Sequence, residues 1–248
     1  MADDFTQGQE PVPAAPTGNL PGGIAPQQVI PEVSAQKPKK KFNFMTLLFF
    51  LAIVAAAGYL LYQYVLAPTP EYEVDGKKFT MKSTPKDFLN AGLVICDKNG
   101  KVVDLTGSSV LGKSVLNAEY QIGIPDTDTH ATQTGIYFKV MNTATNAKGI
   151  KDCMVYSVTY WPGSDKTGGR VRINGQDLTT LDAGDWVEAF KAAKFPFSDK
   201  ELDEFKSGAS TIVLGERGRY EYEAKTETST KVPSFIRFTN TIKTEAKK

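Results

Sequence analysis

Residues 45–66 (MTLLFFLAIVAAAGYLLYQYVL) constrain this chain more than any other stretch, because they contain no charged residue. A helix of about 20 apolar residues spans the hydrocarbon core of a bilayer, and its backbone polar groups are paired within the segment. The sequence therefore predicts a transmembrane helix over residues 42–67. Ala52 and Ala56 form a small-xxx-small pair, which predicts weak self-association between two such helices.

The charges that flank this stretch predict its orientation. Four lysines form a basic anchor before it: Lys37, Lys39, Lys40 and Lys41. The first charges after it, up to Asp75, are acidic. By the positive-inside rule, the anchor stays in the cytoplasm and the chain after Pro68 lies outside the cell. A cleaved signal peptide is disfavoured, because the apolar run continues past the small residues 55–57 and the leading region is too long.

Residues 1–41 form a tail that is rich in Pro, Gln, Ala and Gly, with no aromatic residue after Phe5. Such a composition buries too little apolar surface to offset the entropy lost on ordering. It predicts a disordered cytoplasmic tail that ends in the basic anchor. Residues 243–248 form a short charged tail at the other end.

Residues 70–242 are long enough for one sizeable core or two small ones. The chain carries 29 Lys and Arg against 28 Asp and Glu, so it has no electrostatic footprint for nucleic acid. The chain contains no Asn-x-Ser/Thr sequon, which favours a bacterial surface over a eukaryotic one.

Local patterns in this region predict short helices and strands. Asp75 and Gly76 between two apolar runs predict a β-hairpin. Capping residues and helical spacing predict three short helices, at residues 84–92, 182–194 and 198–208. Apolar runs and period-2 alternation predict strands at residues 93–96, 102–105, 136–140, 154–160, 170–173, 211–214, 219–223 and 235–239.

The order of these elements predicts the fold class. Hairpin-linked strands and grouped helices indicate an α+β fold with a mostly antiparallel sheet, rather than a doubly wound parallel sheet. The order also suggests two tandem sheet-and-helix halves, residues 70–161 and 170–242, with a single unit as the alternative.

Several short segments follow one another in a characteristic order: VDGKKF (74–79), TP (84–85), FLNAG (88–92), KDCMV (151–155), INGQDLTT (173–180), YEY (220–222) and IRF (236–238). This order resembles a broad set of uncharacterised extracytoplasmic domains on lipoproteins and membrane-anchored proteins of anaerobic Gram-positive bacteria. The resemblance covers about residues 72–240 and implies tandem sheet-and-helix repeats. It implies no catalytic or ligand residues.

Residues 107–114 (GSSVLGKS), from Gly107 to Ser114, match the phosphate-loop pattern G-x-x-x-x-G-K-[ST]. Such a loop holds phosphates with its backbone N–H groups and its lysine, here Lys113, and it must follow a strand and open a helix. Gly123 and Pro125 leave little room for that helix, so the sequence disfavours a nucleotide-binding protein.

Two further motifs belong to penicillin-recognising serine enzymes. Residues 83–86 fit S-x-x-K and residues 166–168 fit K-T-G, but the S-D-N element between them is missing. Ser83 and Thr84 are better explained as residues that cap a helix.

His130, the only histidine, alternates with Asp126 and Asp128 in a polar loop. These side chains are candidate cation ligands, but the further acid, glycine and glutamate of a calcium loop are absent. The pattern favours a solvated loop without a metal.

Cys96 and Cys153 are the only cysteines, and two interpretations stay open for them: a disulfide outside the cell, or two buried thiols in strands. Trp161 and Trp186 are more typical of packing than of a sugar-binding platform.

The sequence therefore predicts a single-pass membrane protein, anchored by an uncleaved signal-anchor helix and without catalytic activity or cofactor. Its outer domain would bind or scaffold at the bacterial cell envelope. The expected partners are the lipid bilayer and a protein or envelope polymer outside the cell, and no nucleic acid. A structural subunit of a larger membrane complex is the alternative.

Overall fold

The computed structural model describes residues 44–62, 67–180, 182–227 and 229–241. The chain divides into Met1–Phe44, of which only Phe44 is described, and one compact unit, Met45–Lys248. The N-terminal tail 1–41, the C-terminal tail 243–248 and the anchor lysines lie outside the described residues: Lys37, Lys39, Lys40 and Lys41.

Helix α1 (Phe44–Leu61) is 18 residues long, and none of its residues is buried. Among the described residues, it is the one helix that is long and apolar enough to cross a membrane. Its bounds fall within the predicted segment 42–67.

The other elements have the following bounds. The strands are β1 (Glu71–Val74), β2 (Lys77–Thr80), β3 (Val94–Cys96), β4 (Ser109–Val110), β5 (Ser114–Val115), β6 (Tyr120–Pro125), β7 (Ala131–Asn142), β8 (Lys148–Gly149), β9 (Met154–Asp165), β10 (Val171–Ile173), β11 (Ile212–Arg217), β12 (Tyr220–Thr226) and β13 (Pro233–Asn240). The helices are α2 (Pro85–Asn90), α3 (Ala183–Ala192) and α4 (Asp199–Ser207), with a 3₁₀ turn at Ile150–Asp152.

An eight-stranded antiparallel sheet dominates the fold, with the order β11-β12-β13-β9-β7-β6-β3 and β5 paired to β7. A three-stranded sheet has the order β10-β1-β2, and β4 pairs with β8. Strands dominate and the helices are short, so the predicted α+β fold with a mostly antiparallel sheet is confirmed.

The two suggested halves share these sheets. Strand β9 continues through residues 162–165, where the halves were expected to join, and it pairs with both β7 and β13. Strand β1 of the first half pairs with β10 of the second. The described residues thus build a single unit from both parts of the chain.

The core lies on one face of the large sheet, where Phe138, Tyr222 and Phe238 are buried. Phe88 of α2 packs edge-on against Phe138, with ring centroids 5.3 Å apart. Phe195, between α3 and α4, lies 5.6 Å from Tyr222 and 6.0 Å from Phe238. Strand alternation therefore directs one set of side chains into a core that the helices cover.

Capping residues begin the helices where the sequence predicts. Asp87 accepts a hydrogen bond from the N–H of Thr84 at 2.7 Å, before α2. Before α4, the Glu201 carboxylate accepts a hydrogen bond from the N–H of Ser198 at 2.9 Å. Gly208 ends that helix with a φ of 74°. These bonds pair N–H groups that the first helical turn leaves free.

The predicted strand at residues 102–105 is wrong. Val102 makes one isolated bridge to Cys96, and the N–H of Val103 bonds the carbonyl of Ile95 at 2.8 Å. Asp104 then accepts a hydrogen bond from the N–H of Thr106 at 2.8 Å. This local bond turns the chain away before a ladder can form.

Candidate functional site

The phosphate-loop pattern does not open a helix in this structure. Its residues form two short strands, β4 and β5, and the next element is strand β6. The N–H of Lys113 bonds the carbonyl of Ala144 at 2.9 Å, and a Cβ at Gly112 would overlap the carbonyl of Thr145. Close backbone approach thus explains Gly112, and the geometry that phosphate binding needs is not formed.

The serine-enzyme motifs are also used in local turns. The Ser83 hydroxyl accepts a hydrogen bond from the N–H of Thr80 at 3.1 Å. The Thr167 hydroxyl accepts one from the N–H of Arg170 at 3.2 Å. Both motifs therefore stabilise chain reversals.

The polar loop around His130 is exposed, as are Asp126 and Asp128. The His130 Nδ1 lies 2.9 Å from the Thr129 hydroxyl. Within the described ranges, no group of three or more His, Cys, Asp and Glu residues is arranged to hold a metal ion.

Both cysteines are free thiols and both are buried. The Cys96 sulfur lies 3.6 Å from the carbonyl of Gln121, whereas the Cys153 sulfur lies 3.3 Å from the carbonyl of Gly149. Burial raises the pKa of Cys96 to about 12, and burial also raises the pKa of Cys153. Of the two open interpretations, the structure therefore has the buried thiols rather than the disulfide.

The two tryptophans pack differently. Trp186 is buried, and its indole N–H donates to the carbonyl of Thr180 at 3.0 Å. Trp161 is partly buried, with its ring centroid 4.9 Å from that of Phe235.

A cleft of about 520 Å³ lies beside strand β3. It is lined by apolar side chains, by charged side chains of both signs and by two threonines: Leu89, Ile95, Lys101, Val102, Val103, Asp104, Leu105, Thr106, Asp128, Thr129 and Lys151. Its volume falls in the range of about 300–1,000 Å³ that is usual for small-ligand sites.

Backbone hydrogen bonds fix the wall of this cleft. The N–H of Val102 donates to the carbonyl of Thr129 at 2.9 Å, and the N–H of Val103 donates to that of Ile95. Hydrogen bonds from Thr106, and then the charge of Lys151, hold the pKa of Asp104 below its ordinary value. Asp104 therefore stays ionised near neutral pH.

The cleft is amphiphilic. Leu89 and Ile95 give it apolar surface, while Lys101 and Lys151 can pair with acidic groups of a ligand and Asp128 with a basic one. The sequence patterns missed this site because its residues come from separate parts of the chain. The pairing of strands and the turn at Asp104 bring them together, and no local periodicity signals this arrangement.

Comparisons with protein-family models, curated proteins and solved structures gave no match to this chain. The resemblance to extracytoplasmic domains of anaerobic Gram-positive bacteria therefore stays a prediction.

Proposed function

We propose that this chain is a single-pass membrane protein whose α+β domain binds a partner outside a bacterial cell. In this proposal α1 is the anchor, the tail 1–41 is cytoplasmic, and the cleft beside β3 is the binding site. The partner is a protein or polymer of the cell envelope.

The exposure of α1 carries the proposal. Its large side chains, such as Phe44, Phe50 and Val54, are all exposed, and the helix has no charge. Each such side chain is more stable by about 1.5–3 kcal/mol when it is removed from water. A bilayer accommodates this helix, whereas water does not.

The lysine asymmetry and the cleft support the rest of the proposal. The basic residues before α1 favour a cytoplasmic N-terminus. The volume and mixed lining of the cleft favour a ligand with both apolar and charged groups.

Cysteine labelling on intact cells tests the orientation. Leu111 is 75% exposed, and both native thiols are buried. In bacteria that produce the full chain, a membrane-impermeant maleimide should label Leu111→Cys before lysis. The matched variant Ser34→Cys, in the tail, should be labelled only after lysis. The reverse pattern would show that the domain lies in the cytoplasm.

Photo-crosslinking tests the binding site. A photoreactive phenylalanine replaces Leu89 at the cleft or, as the control, the exposed Leu111, which is not among the residues that line the cleft. We expect an envelope adduct from position 89 alone. Equal adducts from both positions, or none from position 89, would contradict binding at the cleft.

A further inference from the structure

Strand β11 is an open edge of the large sheet. On its inner side Val213 is buried, and the carbonyl of Pro196 lies so close to Gly215 that it would overlap an added Cβ. On the other side Ile212 and Leu214 are 40% and 60% exposed. The strand thus combines a closed inner face with two exposed apolar side chains.

The hairpin register determines which backbone groups point outward from β11. Arg217 pairs with Tyr220 across a two-residue turn, and the N–H of Thr226 bonds the carbonyl of Thr211 at 2.9 Å. Because hydrogen-bonded pairs alternate along an antiparallel ladder, the N–H and C=O groups of Leu214 and Glu216 point away from β12. Within the described residues, these groups have no hydrogen-bond partner.

The opposite edge of the sheet is closed by the chain itself. There the N–H of Val103 bonds the carbonyl of Ile95, and Val102 bridges to Cys96. Proteins usually protect edge strands in this way, because unpaired strands recruit other chains. Strand β3 is protected in this way, whereas β11 is not, and β11 is therefore available to pair with another chain.

We propose that β11 pairs with β11 of a second copy of this chain, in antiparallel orientation about a two-fold axis at Leu214. Leu214 then lies opposite its own symmetry mate, and Ile212 of one copy lies opposite Glu216 of the other. The two Leu214 residues exchange both backbone hydrogen bonds. The N–H of Glu216 of one copy donates to the carbonyl of Ile212 of the other copy. That carbonyl has two lone pairs, and the other one accepts a hydrogen bond from the Ser210 hydroxyl of its own chain.

Charge complementarity favours a second copy as the occupant. Within one chain Glu216 lies directly opposite Glu221, which is unfavourable, and Ile212 lies opposite Lys225. The proposed register places Lys225 of one copy in the same row as Glu216 of the other. The two positions are about 10 Å apart across two strand spacings, within the combined reach of the two side chains.

The pairing is also self-limiting. A two-fold contact uses the same surface on both copies, so it closes a dimer instead of extending a fibre. The proposal does not depend on the function proposed for the cleft or on the side of the membrane that the domain occupies.

Oxidative crosslinking of the full chain in detergent micelles tests the register. Opposed Cα atoms in a hydrogen-bonded antiparallel pair are about 5.5 Å apart, which lies within the span of a disulfide. Leu214→Cys should therefore form a covalent dimer. The control Glu221→Cys lies on the same face but is separated from its mate by three strand spacings across the sheet and four residues along it, about 20 Å in all, and it should not crosslink. Equal crosslinking of the two variants overturns the proposal.

Sedimentation equilibrium of the same preparation tests the energetics. Leu214→Lys places two like charges face to face and should raise the dimer dissociation constant at least about tenfold. Leu111→Lys makes the same change at the 75% exposed loop leucine and should leave it unchanged.

A final variant distinguishes dimerisation through β11 from dimerisation through the membrane helix α1. The double substitution Ala52→Leu and Ala56→Leu blocks close approach of two α1 helices. We expect the dimer to persist in this variant and to be lost in Leu214→Lys. A wild-type monomer at all concentrations, or a dimer that depends only on Ala52 and Ala56, overturns the proposal.

Discussion

Phe190 lies at the centre of the aromatic cluster that fixes α3 and α4 on the sheet. It is completely buried, and four rings surround it. Centroid distances from Phe190 are 5.1 Å to Phe195, 5.1 Å to Phe197, 5.7 Å to Trp186 and 6.2 Å to Phe205. We therefore predict that Phe190→Ala is among the most destabilising single substitutions in this chain.

The structure gives the size of this effect. A buried Phe→Ala substitution costs about 3–5 kcal/mol, and each ring pair contributes about 0.5–1.5 kcal/mol beyond burial. Because Phe190→Ala removes four ring pairs, we expect it to lower the free energy of unfolding by about 5 kcal/mol, near the upper end of the range for buried Phe→Ala substitutions. With a urea m value of about 2 kcal/mol/M, the unfolding midpoint falls by about 2.5 M.

Phe235→Ala is the matched control. Phe235 is also buried, at 6% exposed, but it lies outside the main core cluster, and its ring contacts one aromatic ring, that of Trp161, and lies 4.7 Å from the Arg237 guanidinium. Because Phe235→Ala removes one ring pair instead of four, we expect a loss near the lower end of the range for buried Phe→Ala substitutions, at about 3 kcal/mol.

Urea unfolding of the full chain in non-ionic detergent, followed by tryptophan fluorescence, measures both variants. Trp161 and Trp186 are the only tryptophans, and both lie in the α+β domain. If Phe190→Ala shifts the midpoint no further than Phe235→Ala does, the cluster does not hold the helices as described.

The remaining predictions concern a cap and the thiols. Ser198→Ala should lower the free energy of unfolding by about 1 kcal/mol and raise the depressed pKa of Glu201 in an NMR titration, because its side-chain hydrogen bond is lost; an unchanged pKa would argue against the cap. Ellman's reagent at pH 8 should react with Cys96 and Cys153 only in denaturing urea, and rapid reaction of the folded chain would contradict their burial. Stability should fall above pH 9, because unfolded Cys96 releases its proton near its ordinary pKa of 9.0, whereas the folded thiol holds it to about 12; urea midpoints that are equal at pH 8 and pH 10.5 would refute this.

Features that depend on a few neighbouring residues could be predicted from the sequence. The Asp75–Gly76 turn needs two residues with positive φ, and the structure gives them φ values of 52° and 75°. The bonds between Ser198 and Glu201 are completed within one helical turn. Such signals are strong because their physical cause lies inside a short window.

The strand order could not be predicted in the same way. Strand β13 lies between β12 and β9, and Arg237 donates to the hydroxyl of Thr159, 78 residues away in sequence. Alternation predicts that both segments are strands, but it does not identify the partner of either one. The suggested halves, residues 70–161 and 170–242, likewise carry no information on strand order, and strands from both parts share the same sheets.

The cleft depends both on local hydrogen bonds and on strand pairing between distant parts of the chain. Its wall follows from a local feature, the hydrogen bond from the Thr106 N–H to Asp104. Its other residues come from α2, β3 and the loop at Asp128, which only the folded sheet brings together. A sequence pattern therefore had nothing to detect there.

The cleft and the open edge lie at opposite ends of the large sheet, since the cleft adjoins β3 and the free strand is β11. Six strand spacings separate these strands, or about 29 Å. Sites this far apart, without shared partners, usually contribute additively. We therefore expect Lys101→Glu to leave the dimer dissociation constant unchanged, and Leu214→Lys to leave crosslinking from position 89 unchanged. A change in either measurement would show that the sheet couples its two ends.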